Sequence, residues 1–285
     1  MLYVKDAQNK FKTHLKKTGK SLHTIRSYDK HLSELVGFLE EIKKNHIHLV
    51  TKKDLENFLE KYAKNKKSKS INSKTVALKS FFKFLEINEY LTQNPAAALK
   101  YLKEKEEAPR ILSVVEYRAL RDAAKNDLRS YALIELMLQT GIKIGEVSRI
   151  RLKDLNLKND TLNILNEKME PSRLVPLNSP AKRAIENWLK ARPKIKSDIL
   201  FITKNGKAVD PRNIRGVISR YYKKAGIVNA RVHDLRHTFC AHHIEKGTSL
   251  TAIAYIAGHK NLNTVKKYLE CVEKPEAPDL EKNAL

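Results

Sequence analysis

The chain has 285 residues, enough for two domains, and its 56 Lys and Arg against 32 Asp and Glu give a formal net charge of +24. Both halves are basic, which favours a polyanionic partner such as nucleic acid over a single basic tail. The two cysteines lack metal-type spacing, no apolar run approaches a membrane span, and the N-terminus has no apolar signal core. These features argue against a disulfide-stapled secreted domain and a membrane protein, and we expect a cytoplasmic protein.

The first hundred residues are predicted to form four helices. Apolar residues recur at helical spacing from Val4 to Leu15, and Gly19 then favours a stop. Ser21 is a candidate N-cap for a second amphipathic helix that continues to Ile42. The third and fourth helices are marked by Thr51, Asp54, Leu55, Phe58, Tyr62, Val76, Phe81 and Leu85, and Asn94-Pro95 breaks the pattern. The sequence therefore predicts a helical N-terminal domain over residues 1–102.

The second part of the chain is predicted to mix helices with a small sheet. Residues 103–109 are charged, end in proline and are expected to link the first domain to a second one over residues 110–285. The alternating segment 161–165 should pair with residues 173–177 across a polar turn. Helices are expected after the Ser113/Glu116 capping box, over 128–140, from Ser179 to Trp188, and over 211–225, 233–246, 249–257 and 262–271. The expected fold class is mainly α with a small antiparallel β-sheet.

Five short segments of the second part carry side chains suited to phosphate chemistry. His233 and Arg236 are three residues apart on a predicted helix, so they share a face. An arginine fork can grip two phosphate oxygens, and a histidine can donate to a third or move a proton. The other candidates are Lys143 and Glu146 in the Thr-Gly segment at 140–146, Lys168 at the predicted hairpin tip, His259, and Tyr268.

Tyr268 is a possible covalent nucleophile. A free tyrosine has a pKa of about 10, so its attack at neutral pH needs nearby positive charge. The candidate residues supply that charge and the positioning that phosphoryl transfer requires, without a metal. The histidines and Cys240 on the predicted helix 233–246 lack the other ligands of a zinc site, so no metal is expected. Each residue alone is a weak signal, whereas their order and spacing together are specific.

That order and spacing resemble the tyrosine recombinase, or lambda-integrase, family, and most of all its short Xer-type members. The resemblance covers nearly the whole chain. In the first part, residues 19–24 with Tyr28, the segment 80–85 and Asn94-Pro95 are similar to the helical core-binding domain of these enzymes. The resemblance implies a SAM-like, DNA-binding first domain and a mixed α+β catalytic domain that together clamp a DNA duplex.

The resemblance also implies a reaction and its participants. Tyr268 would attack the scissile phosphate and leave a 3′-phosphotyrosine and a free 5′-hydroxyl, while Glu146 supports the site. Four protomers on two duplexes would exchange strands through a Holliday junction. The implied substrate is double-stranded DNA with inverted-repeat core sites, and the implied protein is a nucleoid-associated monomer or weak dimer off DNA that needs no cofactor. The residues implied to surround the phosphate are Arg236, His233, Lys168 and His259.

Lys143 departs from the family pattern, which has an arginine three residues before the acid. Lysine keeps the charge but loses the bidentate fork, and Arg149 and Arg151 lie too far along a helix starting near residue 142 to replace it. Three explanations of this lysine are open: a deliberate change that slows the reaction, a natural variant that reacts more slowly, or a decayed recombinase that only binds DNA. The other positions of the family pattern are intact, which argues against decay. Two other functions remain open: a recombinase-like DNA-binding protein that does not cut, and a DNA-relaxing topoisomerase.

Overall fold

The computed structural model describes residues 2–64, 66–104 and 107–271. It divides the chain into two compact units, one up to residue 106 and one from residue 107. Each unit has a hydrophobic core of its own. Within the described ranges, no helix has both the length and the apolar character needed to cross a bilayer.

The first unit is a bundle of four helices. Their bounds are Val4–Lys17 (α1), Leu22–Glu41 (α2), Lys52–Ala63 (α3) and Ser68–Ile87 (α4). Helix α4 packs against the other three, and the side chains of Phe11, Leu35 and Phe81 are buried between them. The predicted starts of α2 and α3 are confirmed, because Ser21 caps α2 and the Thr51/Asp54 capping box begins α3.

The second unit combines eight helices with a small sheet in the described part of the chain. Helix α6 lies at its centre, buried on most sides, and packs against α8 and α10. The predicted capping box of Ser113 and Glu116 begins α5. The helices are Val114–Ala124 (α5), Leu128–Thr140 (α6), Ile144–Val147 (α7), Ser179–Ala191 (α8), Pro211–Lys224 (α9), Val232–Glu245 (α10), Leu250–Ala257 (α11) and Asn263–Lys266 (α12).

The sheet has three antiparallel strands in the order β1-β2-β3, namely Leu155–Asn156, Thr161–Leu165 and Pro171–Pro176. The hairpin of β2 and β3 confirms the predicted pairing, with Leu162 opposite Val175. Strand β1 was not predicted, because two residues are too few to show an alternating pattern. Helix α11 packs on β3, which brings the end of α11 close to the sheet.

Two helix predictions were wrong in their bounds. The expected helix over 262–271 is reduced to α12, since no side chain caps it and the chain continues as turns that bury Val265 and Tyr268. The helix expected to start near residue 142 begins two residues later and is a single turn. Its late start follows from Gly141, whose φ of +61° ends α6, and from the extended backbone of Lys143.

Candidate active site

Arg236 lies at the centre of the candidate site. Helix α10 buries this side chain to 4% exposure. Its Nη1 donates to the carbonyl oxygen of Gly141 at 2.6 Å and also to that of Ala257. These carbonyls lie at the C-terminal ends of α6 and α11, where the helix dipoles stabilise a cation. The guanidinium is therefore fixed in place by backbone oxygens and carries its charge into the site.

Lys143 and Glu146 lie at the two ends of the turn that begins α7. The Lys143 backbone N–H donates to Glu146 Oε2 at 2.8 Å, and the Lys143 Nζ donates to the carbonyl oxygen of Gly258 at 2.9 Å. Although Lys143 is exposed as a residue, partial loss of solvation around its amine lowers the amine's pKa. The charges of Arg236 and Arg173 lower it further, against the opposing effect of Glu146. The Lys143 ammonium is thus held at the end of α11, beside Arg236.

Glu146 forms a bidentate ion pair with Arg173 of β3. Nη1 and Nη2 of Arg173 donate to Oε1 and Oε2 of Glu146, each at 2.9 Å. Burial alone would raise the pKa of the Glu146 carboxyl, but the hydrogen bonds and charge of Arg173 lower it overall. The carboxylate is therefore ionised and largely engaged by Arg173.

The two predicted histidines both lie near enough to Arg236 to feel its charge. His233 on α10 is exposed, whereas His259 follows Gly258 and is partly buried. Loss of solvation and the charge of Arg236 lower the pKa of both rings, in the case of His259 to about 4. Both histidines are consequently neutral at pH 7 and can each donate one hydrogen bond.

Tyr268 is buried, with 3% of its surface exposed. Its hydroxyl lies 2.8 Å from Nδ1 of His237, and the thiol of Cys240 adjoins both this tyrosine and His259. Burial raises the Tyr268 pKa and the nearby thiol adds to the rise, while the charge of Arg236 opposes it. Burial also lowers the pKa of His237, so a neutral ring faces the phenol and can accept its hydrogen bond.

Lys168 is not brought together with these residues. It lies exposed in the turn between β2 and β3. Its backbone N–H donates to Oδ1 of Asn166 at 2.8 Å, and the same oxygen accepts from the N–H of Glu170. The turn that carries Lys168 is thus ordered by Asn166, and this confirms the predicted hairpin position of the lysine.

Sequence reasoning missed two residues of this cluster, Arg173 and His237. Arg173 lies on the same face of β3 as the buried Val175, and an arginine on a core-facing position needs a partner. The alternation of core-facing and exposed positions along this strand is the sequence signal that could have singled out Arg173. His237 was interpreted as an ordinary helix residue, and only the folded path of the chain after α11 shows that Tyr268 reaches it.

The cluster as a whole is suited to binding an anion. Arg236 and Lys143 bring two cations together, while the Glu146 carboxylate near them is engaged by Arg173. Two neutral histidines add hydrogen-bond donors. Among the residues that the structure describes, no group of three or more His, Cys, Asp or Glu side chains could hold a metal ion.

The low pKa of His259 predicts how stability depends on pH. The unfolded chain protonates this histidine near pH 6.5, whereas the folded chain does so only near pH 4. Its contribution to stability is therefore complete above about pH 6.5 and is lost as pH falls toward 4. We expect His259→Gln to flatten the fall in unfolding temperature over this range, measured by circular dichroism. The exposed His23→Gln serves as control, and an unchanged pH profile for His259→Gln would contradict the expectation.

Comparison with known proteins relates both units to one family. Residues 101–274 match the phage integrase family, and residues 9–88 match the N-terminal SAM-like domain of phage integrases. The tyrosine recombinase XerC of Staphylococcus carnosus is 31% identical over 261 residues, which cover 87% of this chain and 86% of that protein. XerC of Thermodesulfovibrio yellowstonii is 29% identical over 273 residues, or 90% and 89% of the two chains.

Solved structures show the same fold. The XerH site-specific recombinase in a post-cleavage complex with a palindromic difH substrate matches with a TM-score of 0.77 and 20% identity, over 95% of this chain and 83% of that one. The Tn1549 transposon integrase in complex with circular intermediate DNA matches with a TM-score of 0.76 and 21% identity, over 99% of both chains.

Proposed function

The chain belongs to the phage integrase family and is a site-specific tyrosine recombinase, and we propose from this that it cleaves and rejoins double-stranded DNA through a covalent bond to Tyr268. The observation that carries the proposal is the convergence of Lys143, His259 and Tyr268 on the buried Arg236. A cationic pocket next to a tyrosine hydroxyl is the minimum that attack on a phosphodiester requires.

In the proposed reaction the Tyr268 oxygen forms a bond to the scissile phosphorus, and the bond from phosphorus to the 5′-oxygen breaks. The phenol loses its proton and the departing 5′-oxygen gains one, which leaves a 3′-phosphotyrosine and a 5′-hydroxyl. Arg236 and Lys143 stabilise the charge on the non-bridging oxygens, and His233 and His259 donate hydrogen bonds to them. Attack by a free 5′-hydroxyl reverses the step, so no cofactor is consumed.

The structure supports a change in the site when DNA binds. The Tyr268 hydroxyl is engaged by His237 and buried, and its raised pKa disfavours ionisation. A bound phosphate would draw the phenol from His237 toward Arg236. Lys168, exposed on its ordered turn, would reach the phosphate from the side of the hairpin.

The proposed assembly follows the relatives. A lambda integrase tetramer has been solved bound to a Holliday junction. We propose that four copies of this chain likewise exchange strands between two duplexes with inverted-repeat core sites, and that the protein is a monomer or weak dimer without DNA and associates with the nucleoid. The proposed domains are a DNA-binding domain over residues 1–102, a linker over 103–109 and a catalytic domain over 110–285.

Lys143 leads us to propose a slower enzyme. The exposed lysine supplies a cation beside Arg236, but one ammonium cannot donate two parallel hydrogen bonds to a phosphate. This observation also favours the second candidate function, a recombinase-like protein that occupies its DNA site and cuts it very little.

A nicked duplex tests the proposed function. Genomic fragments captured by the full chain would supply the inverted repeat, and a duplex nicked beside the scissile phosphate would trap cleavage because the short 5′-hydroxyl fragment diffuses away. We expect a protein–DNA complex that survives denaturant. Binding without any such complex would favour the non-cutting protein, and relaxation of a single supercoiled plasmid without pairing of two duplexes would favour a topoisomerase.

The spread of basic residues over both halves leads to an expectation about binding. If both domains grip the duplex, the logarithm of the affinity should fall with the logarithm of the salt concentration with a slope of magnitude at least about 5. Residues 1–107 or 108–285 alone should bind markedly more weakly. Fluorescence anisotropy on the captured site measures both quantities, and a shallow slope or full affinity in one half would contradict the clamp.

A further inference from the structure

Arg173 connects three segments that carry residues of the candidate site. From β3 its Nη1 and Nη2 donate to the Glu146 carboxylate, and its Nε donates to the carbonyl oxygen of Ile256 at 2.8 Å. Its side chain is only 5% exposed. One buried guanidinium thus joins the sheet to α7, through Glu146, and to the end of α11.

Gly258 shows how closely the end of α11 lies against this guanidinium. A Cβ placed on Gly258 would lie 2.6 Å from Cζ of Arg173, closer than atoms can approach. The φ of Gly258 is +71°, a conformation that other residues rarely adopt. The backbone that leads into His259 is therefore packed directly on the Arg173 side chain.

Lys143 is held at both of its ends by groups that Arg173 organises. Its backbone N–H donates to Glu146 Oε2, the oxygen that also accepts from Arg173 Nη2. Its Nζ donates to the carbonyl oxygen of Gly258, the residue packed on the guanidinium. Moving Arg173 would therefore displace both the main chain and the ammonium of Lys143.

We infer that Arg173 is a positioning residue for the cleavage reaction, acting through Lys143. Both Nη atoms of Arg173 are engaged by Glu146, so this guanidinium is not available to bind a phosphate. Arg173 therefore affects the reaction through the groups that it orients. The inference rests on the proposed function and adds to it a residue whose loss should slow cleavage without weakening DNA binding.

Arg173→Lys in the full chain is the first test. Lysine keeps the charge opposite Glu146 and removes the fork and the Nε contact. We expect the single-turnover cleavage rate on the nicked duplex to fall by about a hundredfold, the loss that a misplacement of about 1 Å in an active site produces. DNA affinity and the circular dichroism spectrum should be unchanged. Arg173→Gln provides a second variant, and each is assayed well below its own unfolding temperature.

A double-mutant cycle separates positioning from a merely structural role. In a Lys143→Ala or Lys143→Gln background, Arg173→Lys should change the rate by less than about twofold, because the group through which it acts is gone. Product accumulates irreversibly on the nicked duplex, so long incubations measure the slow backgrounds. Arg121→Lys is the matched control, since Arg121 forms an ion pair with the fully buried Glu135 elsewhere in the second unit.

The outcomes distinguish the inference from the function on which it rests. If the unsubstituted chain and Arg121→Lys both form no covalent complex, the proposed function fails and the inference fails with it. If both cleave and Arg173→Lys matches them, only the inference fails. An equal loss of rate in the Lys143→Ala background, or a parallel loss of DNA affinity, would also overturn it.

Discussion

Tyr268→Phe is expected to abolish covalent attachment to DNA while leaving DNA affinity nearly unchanged. The substitution removes only the hydroxyl, whose observed partner is Nδ1 of His237 at 2.8 Å. The phenyl ring can keep its place against Val265 and Cys240 in the same buried cluster. Since the proposed ester forms on the hydroxyl that this substitution removes, we expect no complex that survives denaturant, even after long incubation.

Tyr255→Phe is the matched control for this substitution. Tyr255 lies on α11, is 55% exposed, and accepts a hydrogen bond from the backbone N–H of Leu174 at 3.2 Å. Among the described tyrosines of the second unit it is the exposed one, which makes it the rival candidate for the nucleophile. Tyr255→Phe should form the covalent complex at the rate of the unsubstituted chain. An adduct formed by Tyr268→Phe would refute the assignment.

Lys143→Arg is expected to raise the cleavage rate on the nicked duplex by at least about tenfold. Removing one well-placed hydrogen-bond donor from such a site lowers the rate by about 10²–10³-fold. Lysine keeps the positive charge and lacks only the guanidinium fork, so its cost should lie toward the lower end of that range. Arginine should recover that smaller loss. Lys143 is exposed and lies close enough to Arg236 to feel its charge, so an arginine here would place a second guanidinium beside the first. Affinity should barely change, because the charge is kept and many phosphate contacts contribute to binding.

The control for this gain is Lys158→Arg, an exposed lysine between β1 and β2. Its rate should equal that of the unsubstituted chain. An unchanged rate for Lys143→Arg would mean that another residue supplies the contact. Arg151 is engaged by Asp154, whereas Nε of Arg149 is buried without a hydrogen-bond partner in the described structure, which makes Arg149 the next residue to test.

The helices could be predicted where local signals agree with the packing. The capping boxes at Thr51 and Ser113 fix the starts of α3 and α5, and the left-handed Gly141 ends α6 where the apolar pattern ends. The pattern misled at α12, because residues spaced three apart, such as Val265 and Tyr268, are also buried by a series of turns. Local spacing cannot distinguish these two ways of burying the same side chains.

The candidate site could be predicted only in part, because several of its contacts join distant parts of the chain. Order and spacing identified Lys143, Arg236, His259 and Tyr268, which the structure brings together. The partner of Glu146 lies 27 residues away on β3, and the partner of Tyr268 lies 31 residues away on α10. Such pairs depend on how the helices and the sheet pack, which a single sequence does not report.

Tyr268 is expected to form the covalent bond to DNA, and mass spectrometry of the trapped complex tests this assignment most directly. The complex formed by the full chain on the nicked duplex is digested with nuclease and trypsin, and the modified peptide is sequenced. We expect a nucleotide on the tryptic peptide that begins at Tyr268, attached to the tyrosine oxygen. A nucleotide on Tyr255 or any other residue, with Tyr268 unmodified, would contradict the account.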